Sequence, residues 1–127
     1  MLRSLYRMRS RADFEAVARV GKRASRGALV VSASVAFESL PERSRPPRVG
    51  VIVGRRVGAA ATRNRVRRQL RHQLAERVQG FPRGALVVVR ARPGIAEQRR
   101  ATVTAALDEA LAAVAVRLRR GAEKVRG

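Results

Sequence analysis

Between Glu42 and Glu76 the chain runs for 33 residues without an acidic side chain, while Arg43, Arg45, Arg48, Arg55, Arg56, Arg63, Arg65, Arg67, Arg68 and Arg71 fall in the same interval. A segment of this kind folds only if it is amphipathic, burying its apolar positions and leaving ten like charges at the surface. An ordinary solvated face mixes signs, so the missing acids point to a polyanionic partner whose phosphates relieve the repulsion. The excess runs through the whole chain: 29 Lys+Arg against 9 Asp+Glu give a net charge of +20. The 27 Arg to 2 Lys account for the choice of cation but not for the missing acids. A membrane surface is the weaker polyanion, because the basic segment lacks the Trp, Phe and Leu face that would insert.

The 127 residues suit one domain spanning 1–127, and 46% hydrophobic residues are too many for a disordered basic tail. With only 3% aromatics, the core must come from Val, Leu, Ala and Ile. The absence of cysteine removes disulfides, thiolate zinc sites and cysteine nucleophiles, and makes a cytoplasmic address the default expectation. The longest nearly apolar run, residues 28–37, is about half the ~20 residues of a membrane-spanning helix. The basic N-terminal residues are not followed by an apolar stretch of signal-peptide length and read as mature sequence.

Ser10-Arg11-Ala12-Asp13 has the form of a capping box, and Phe14, Val17 and Val20 continue a short helical face that Gly21 stops. Residues 29–37 read as a strand, and 38–47, with Pro41, Pro46 and Pro47, as a loop. Residues 48–54 read as a second strand. Val66, Leu70, Leu74 and Val78 then fall four apart and define the stripe of a second helix from about Ala60 to Val78. Residues 80–84 break it, 85–89 form a third strand, and Pro93-Gly94 turns the chain out. A last helix spans about 97–118, leaving a basic tail, 119–127, that is expected to fray. The order predicts a small α+β sandwich with helices packed on a central sheet.

On the second helix, Asn64, Arg65, Arg68 and His72 lie opposite the apolar stripe, while Arg67 and Arg71 flank it, so one face packs and the other is cationic. Arg63 precedes the stripe and reaches off the helix end. The planar fork of arginine donates paired hydrogen bonds to a phosphate or a guanine edge. The free N–H groups near Thr62 and Arg63 add a place for one phosphate. Catalytic groups are missing: His72 is the only histidine, the adjacent Asp108 and Glu109 point in different directions on a helix, and no nucleotide-binding or metalloprotease motif occurs. Neither a catalytic residue nor a metal ligand set is expected, nor a small-molecule substrate.

The run from Arg48 to Arg71 (Arg-Val-Gly-Val-Ile-Val-Gly-Arg-Arg-Val-Gly-Ala-Ala-Ala-Thr-Arg-Asn-Arg-Val-Arg-Arg-Gln-Leu-Arg) closely resembles the protein subunit of bacterial ribonuclease P. The similarity extends to Arg7-Met8-Arg9, Asp13-Phe14 and Gly21 upstream, and to the stretch from Leu86 to Pro93 downstream. The resemblance implies a left-handed β-α-β crossover around the second helix. It implies an endoribonuclease whose RNA subunit cuts the 5′ leader from precursor tRNA using magnesium bound mainly by that RNA, with the protein inactive alone. By the same resemblance the partners are the catalytic RNA and precursor tRNA. Arg55 and Arg56 form the basic pair, and Arg63, Asn64, Arg65, Arg67, Arg68 and Arg71 carry the signature helix. A leader cleft between the first helix and the sheet takes in Phe14, Ala18, Ser32, Arg90 and Arg92. Ala18, and Val31 or Ser32, stand where the family often has aromatics, and Ala59 where it often has Asn. A structural RNA-binding protein of the ribosome, which would share the charge, the fold family and the lack of catalytic groups, is the alternative, and an RNA-free enzyme dependent on His72 is the third reading.

Overall fold

The fold is described from a computed structural model covering residues 2–35 and 45–126, with side chains as far as Gly121. The end of the expected first strand and most of the proline-rich loop lie outside the described residues. Helix α1 (Arg11–Val20) is followed by strands β1 (Lys22–Arg26), β2 (Leu29–Val35) and β3 (Arg48–Val53), helix α2 (Ala60–Ala75), strand β4 (Ala85–Ala91) and helix α3 (Arg100–Arg126). The sheet order is β1-β2-β4-β3, with β1/β2 and β2/β4 antiparallel and β3/β4 parallel. Parallel neighbours need a crossover, and α2 supplies it.

The strand period of two divides the side chains between two faces. Val31, Ala33, Val49, Val87 and Val89 point to the side covered by α2 and α3, where they meet Leu70, Leu74, Leu107 and Ala110 in the main core. Val30, Ser32, Val88 and Ile52 point to the other side, where Val17, Phe14 and Met8 form a smaller apolar cluster beneath α1. Both faces are covered, so Ala85 to Val89 reads as an almost continuous apolar run.

The two sheet edges are treated differently. Along β3, Met8 N–H donates to the Val49 carbonyl (2.8 Å) and Arg7 bridges Val49, so the N-terminal segment covers that edge. The opposite edge is β1, whose Lys22, Arg23 and Arg26 give it the charge that discourages strand addition. Sequence patterning does not predict β1, because Lys-Arg-Ala-Ser-Arg has a single apolar residue, the buried Ala24. The two-residue connection to β2 depends on Gly27, whose φ of 53° places it in the left-handed region.

The helix ends also depart from expectation. Ser10 Oγ accepts from Ala12 N–H (3.1 Å), but Asp13 does not complete a capping box; its carboxylate accepts from Arg48 Nη1 (2.6 Å), a half-buried ion pair joining α1 to β3. Helix α2 stops at Ala75 rather than Val78, because Arg77 Nη1 bonds back to the Gln73 carbonyl (2.7 Å) and a 3₁₀ turn, Val78–Gly80, carries Val78 into the core. Residues 95–97 form a 3₁₀ turn, and α3 begins at Arg100. It then continues through the expected tail to Arg126, with small and long side chains that favour helix outweighing Gly121. Among the described residues no helix is long and apolar enough to cross a membrane.

Candidate nucleic-acid interface

Helix α1 crosses β2 and β4 and lies close to the sheet because β3 carries a glycine beneath it. A β-carbon at Gly50 would stand 2.5 Å from the Phe14 ring, so a larger residue there would displace the ring from its place over the strand. Beside this contact a cleft of ≈ 550 Å³ opens between α1 and the sheet. Val17, Val30, Ile52 and Val88 form an apolar floor with the half-buried Phe14, and Arg11, Arg23, Arg90 and Arg92 are at the rim. The expected cleft residues Phe14, Ala18, Ser32, Arg90 and Arg92 all line it. Strand register decides between the two β2 candidates: Ser32 pairs with Val88 and faces the cleft, whereas Val31 is completely buried on the opposite face. Arg11 and Arg23 are additions. Arg23 becomes legible only once β1 exists as a strand. Glu15, which also lines the cleft, stands 3.3 Å from Arg11 across one turn of α1, both side chains being exposed.

A second concavity, of ≈ 500 Å³, lies along α2. Asn64, Arg67, Arg68, Arg71 and His72 line it together with Leu2 and Arg7 from the N-terminal segment. Arg67 Nη1 donates to Asn64 Oδ1 (2.9 Å), which fixes one guanidinium on the helix surface. Burial first, then the neighbouring Arg7 and Arg67, lower the Arg71 pKa from its ordinary value. An arginine so placed stays charged, and the strain of like charges is relieved by an incoming anion. His72 Nε2 lies 3.5 Å from Glu76 Oε1, one turn along the helix.

Other expected residues stand apart from this groove. Arg65 is exposed on α2, and Arg55 and Arg56 are exposed on the 3₁₀ turn between β3 and α2. Arg63 is half-buried, its Nε hidden and without a hydrogen bond among the described residues. The phosphate place at the helix start shifts: Arg63 N–H already donates to the Ala59 carbonyl (2.9 Å), so the free donors belong to residues 60–62. Ala59 caps the helix without a side-chain hydrogen bond.

Behind α2, Arg77 Nε donates to Asp108 Oδ1 (2.6 Å), and Thr104 Oγ1 to Gln73 Oε1 (3.1 Å), tying α2 to α3. The hydrogen bond to Asp108 is the chief reason the Arg77 pKa is raised. Asp108 is therefore an inter-helix tie as well as a solubilising charge. Gln73, the one buried polar residue among those described, is not legible in local sequence because its partner is 31 residues away. Among the described residues no three His, Asp or Glu side chains come together as a metal-binding group. Binding of anions and of flat apolar groups is what this surface can do.

Comparison with known proteins agrees along most of the length. The sequence profile of the family described as Ribonuclease P matches residues 2–115. A ribonuclease P protein component of Thermobifida fusca is 47% identical over 90% of this chain and 79% of its own. Its counterpart in Streptomyces bikiniensis is 42% identical over 87% and 93%. In structure, the chain is similar to the RNase P protein of Staphylococcus aureus, with a TM-score of 0.71 at 22% identity over 84% of this chain and 92% of that one. The RNase P protein of Thermotoga maritima, in complex with 1-(4-fluorophenyl)-2-thiourea, gives 0.67 at 26% identity over 81% and 94%.

Proposed function

The chain belongs to the ribonuclease P protein family, and from that premise we propose that it binds the catalytic RNA through α2 and the 5′ leader of precursor tRNA in the cleft beneath α1. Family membership makes it the protein component of an endoribonuclease complex that works with an RNA subunit in the 5′ processing of tRNA. The finer assignment rests on one observation, the division of its cations between two unlike surfaces. The groove along α2 is lined by Arg7, Arg67, Arg68 and Arg71 with Leu2 as its one apolar side chain and no aromatic among the described residues, which suits the phosphates of a folded RNA. The cleft offers Phe14 and an aliphatic floor rimmed by arginines, which suits unpaired nucleotides whose bases expose flat faces.

Arg55, Arg56, Arg63 and Arg65 extend the RNA-binding face around the start of α2, with the free N–H groups there facing the same partner. Among the described residues Phe14 supplies the one aromatic surface of the cleft, and arginine planes at Arg90 and Arg92 substitute for the aromatics missing at Ala18 and Ser32. Among the described residues no group of His, Asp and Glu side chains is gathered to hold a metal ion. Magnesium belongs to the RNA in this reading, and no step of the protein's work runs through it. The protein's part is to bind, orient and neutralise.

Reconstitution with the cognate catalytic RNA on a precursor tRNA, omitting each component in turn, tests the reading. Cleavage is expected whenever the RNA is present at high magnesium and never with the protein alone. Full cleavage by RNA-free protein would overturn it.

A further inference from the structure

Both surfaces above lie within the matched part of the chain. A third concentration of charge lies outside them, where β1 meets the last turns of α3. Lys22, Arg117 and Arg120 there line a hollow of ≈ 270 Å³ closed by Gly121. Arg117 and Arg120 fall past residue 115, where the family match ends. All three cations are exposed, and none makes an ion pair among the described residues.

Their approach is built into the helix. A glycine inside a helix costs about 1 kcal/mol relative to alanine, yet α3 carries Gly121 at the point where Lys22 crosses it. A β-carbon at this position would stand 3.2 Å from Lys22 Cε and 3.7 Å from Nζ. The missing side chain lets the lysine stem lie against the helix, with its ammonium beside two arginines. Three like charges brought together at a surface form a site that an anion stabilises.

Its position in the fold suggests which anion. Successive residues of β1 point to opposite faces of the sheet. Arg23 pairs with Ser32 and lines the cleft, while Lys22 pairs with Ala33 on the α3 side. β1 is the last strand of the sheet, so one strand separates the cleft from the third patch, and no described strand pairs with its outer edge. A single strand leaving the cleft past Arg23 meets Lys22 next.

We infer that the patch of Lys22, Arg117 and Arg120 binds phosphates of the single-stranded RNA leaving the cleft, so that a long leader wraps over the β1 edge onto α3. This rests on the cleft being the leader site.

The test uses the reconstituted holoenzyme with three probes: mature tRNA, a precursor whose leader ends within the cleft, and one with a leader about ten nucleotides longer, within the span that single-strand-binding surfaces cover. The variant Lys22→Gln/Arg117→Gln/Arg120→Gln alters only exposed side chains. It should bind the long-leader precursor on the order of tenfold more weakly, with a log–log salt slope reduced by about 2, as three single-strand phosphate contacts predict. Binding of the short-leader precursor and of mature tRNA should be unchanged. The charge-conserving variant Lys22→Arg/Arg117→Lys/Arg120→Lys should retain the wild-type slope. If the wild type favours precursor over mature tRNA but the Gln variant keeps its long-leader affinity, the patch assignment is wrong and the cleft assignment stands. An equal loss for all three probes would place the patch on another RNA and overturn the inference. A wild type that binds precursor and mature tRNA equally would sink both.

Discussion

Phe14 serves two purposes at once. Its ring packs over Gly50 and belongs to the apolar cluster beneath α1, yet it remains half-buried and lines the cleft. The aromatic character and helical spacing of Phe14 were visible in the sequence, but the β2 residue facing it was not, because Val31 and Ser32 differ only in which side of the sheet they face. Phe14→Ala removes a stacking surface worth ~1–3 kcal/mol per base and no charge. It should therefore weaken precursor tRNA binding while leaving mature tRNA binding and the salt slope intact. Equal losses for the two tRNAs would show that Phe14 is only a packing residue. Asp13 supports the same cleft from behind. Its ion pair with Arg48 is half-buried, with side chains 19% and 17% exposed, and hydrogen bonds to charged groups are worth ~1.5–3 kcal/mol. Asp13→Ala should lower unfolding free energy by about that much in a denaturant titration, and a change below about 0.5 kcal/mol would mean that the pair is merely a surface contact.

At the scale of elements, α2 is the part most fully encoded in local sequence. Val66, Leu70 and Leu74 are buried where the four-residue spacing put them, and Arg67 and Arg71 flank them half-buried. A helix face exposes its own period, so a cationic face needs no knowledge of partners to be found. Arg65 and Arg68, both exposed, should each lose one phosphate contact on replacement by Ala. The double variant is expected to flatten the log–log salt dependence of RNA binding by about 0.7–0.9 per contact, with helix content in circular dichroism unchanged. An unaltered slope would remove both from the interface. β1 is the opposite case. A short edge strand has one apolar residue to bury and is held by hydrogen bonds to β2, so nothing in its own composition announces it. Gly27-Ala28 was the available signal, a two-residue connection with glycine first, placed immediately before the Val-rich strand. The end of α2 is not legible for a related reason: Arg77 closes the helix by bonding both to Gln73 and, 31 residues on, to Asp108 at the surface of α3.

At the scale of the molecule, a charge of +20 makes the protein a counterion as much as a ligand. Bound to RNA, it should replace part of the cation atmosphere that magnesium provides between crowded phosphates. Stimulation of the RNA's cleavage rate is expected to be largest at low magnesium and to shrink as magnesium rises; stimulation independent of magnesium would refute this account. Composition and periodicity alone determined that the chain folds on Val, Leu and Ala and that it carries an amphipathic cationic helix, and they pointed to a polyanionic partner. The order of residues from Arg48 to Arg71 carried the family resemblance. Those properties are local, since charge, period and motif are written in neighbouring residues. What tertiary structure alone decided is which cations share a surface. Arg7 joins Arg67 and Arg71 because the N-terminal segment covers the β3 edge, and Arg23 joins Arg90 and Arg92 because β1 pairs with β2. Lys22 meets Arg117 and Arg120 because α3 packs across the same strand. Each of these meetings spans tens of residues of chain. The physical cause is the pairing of strands and the burial of helix faces, which join segments whose own sequences carry no trace of one another.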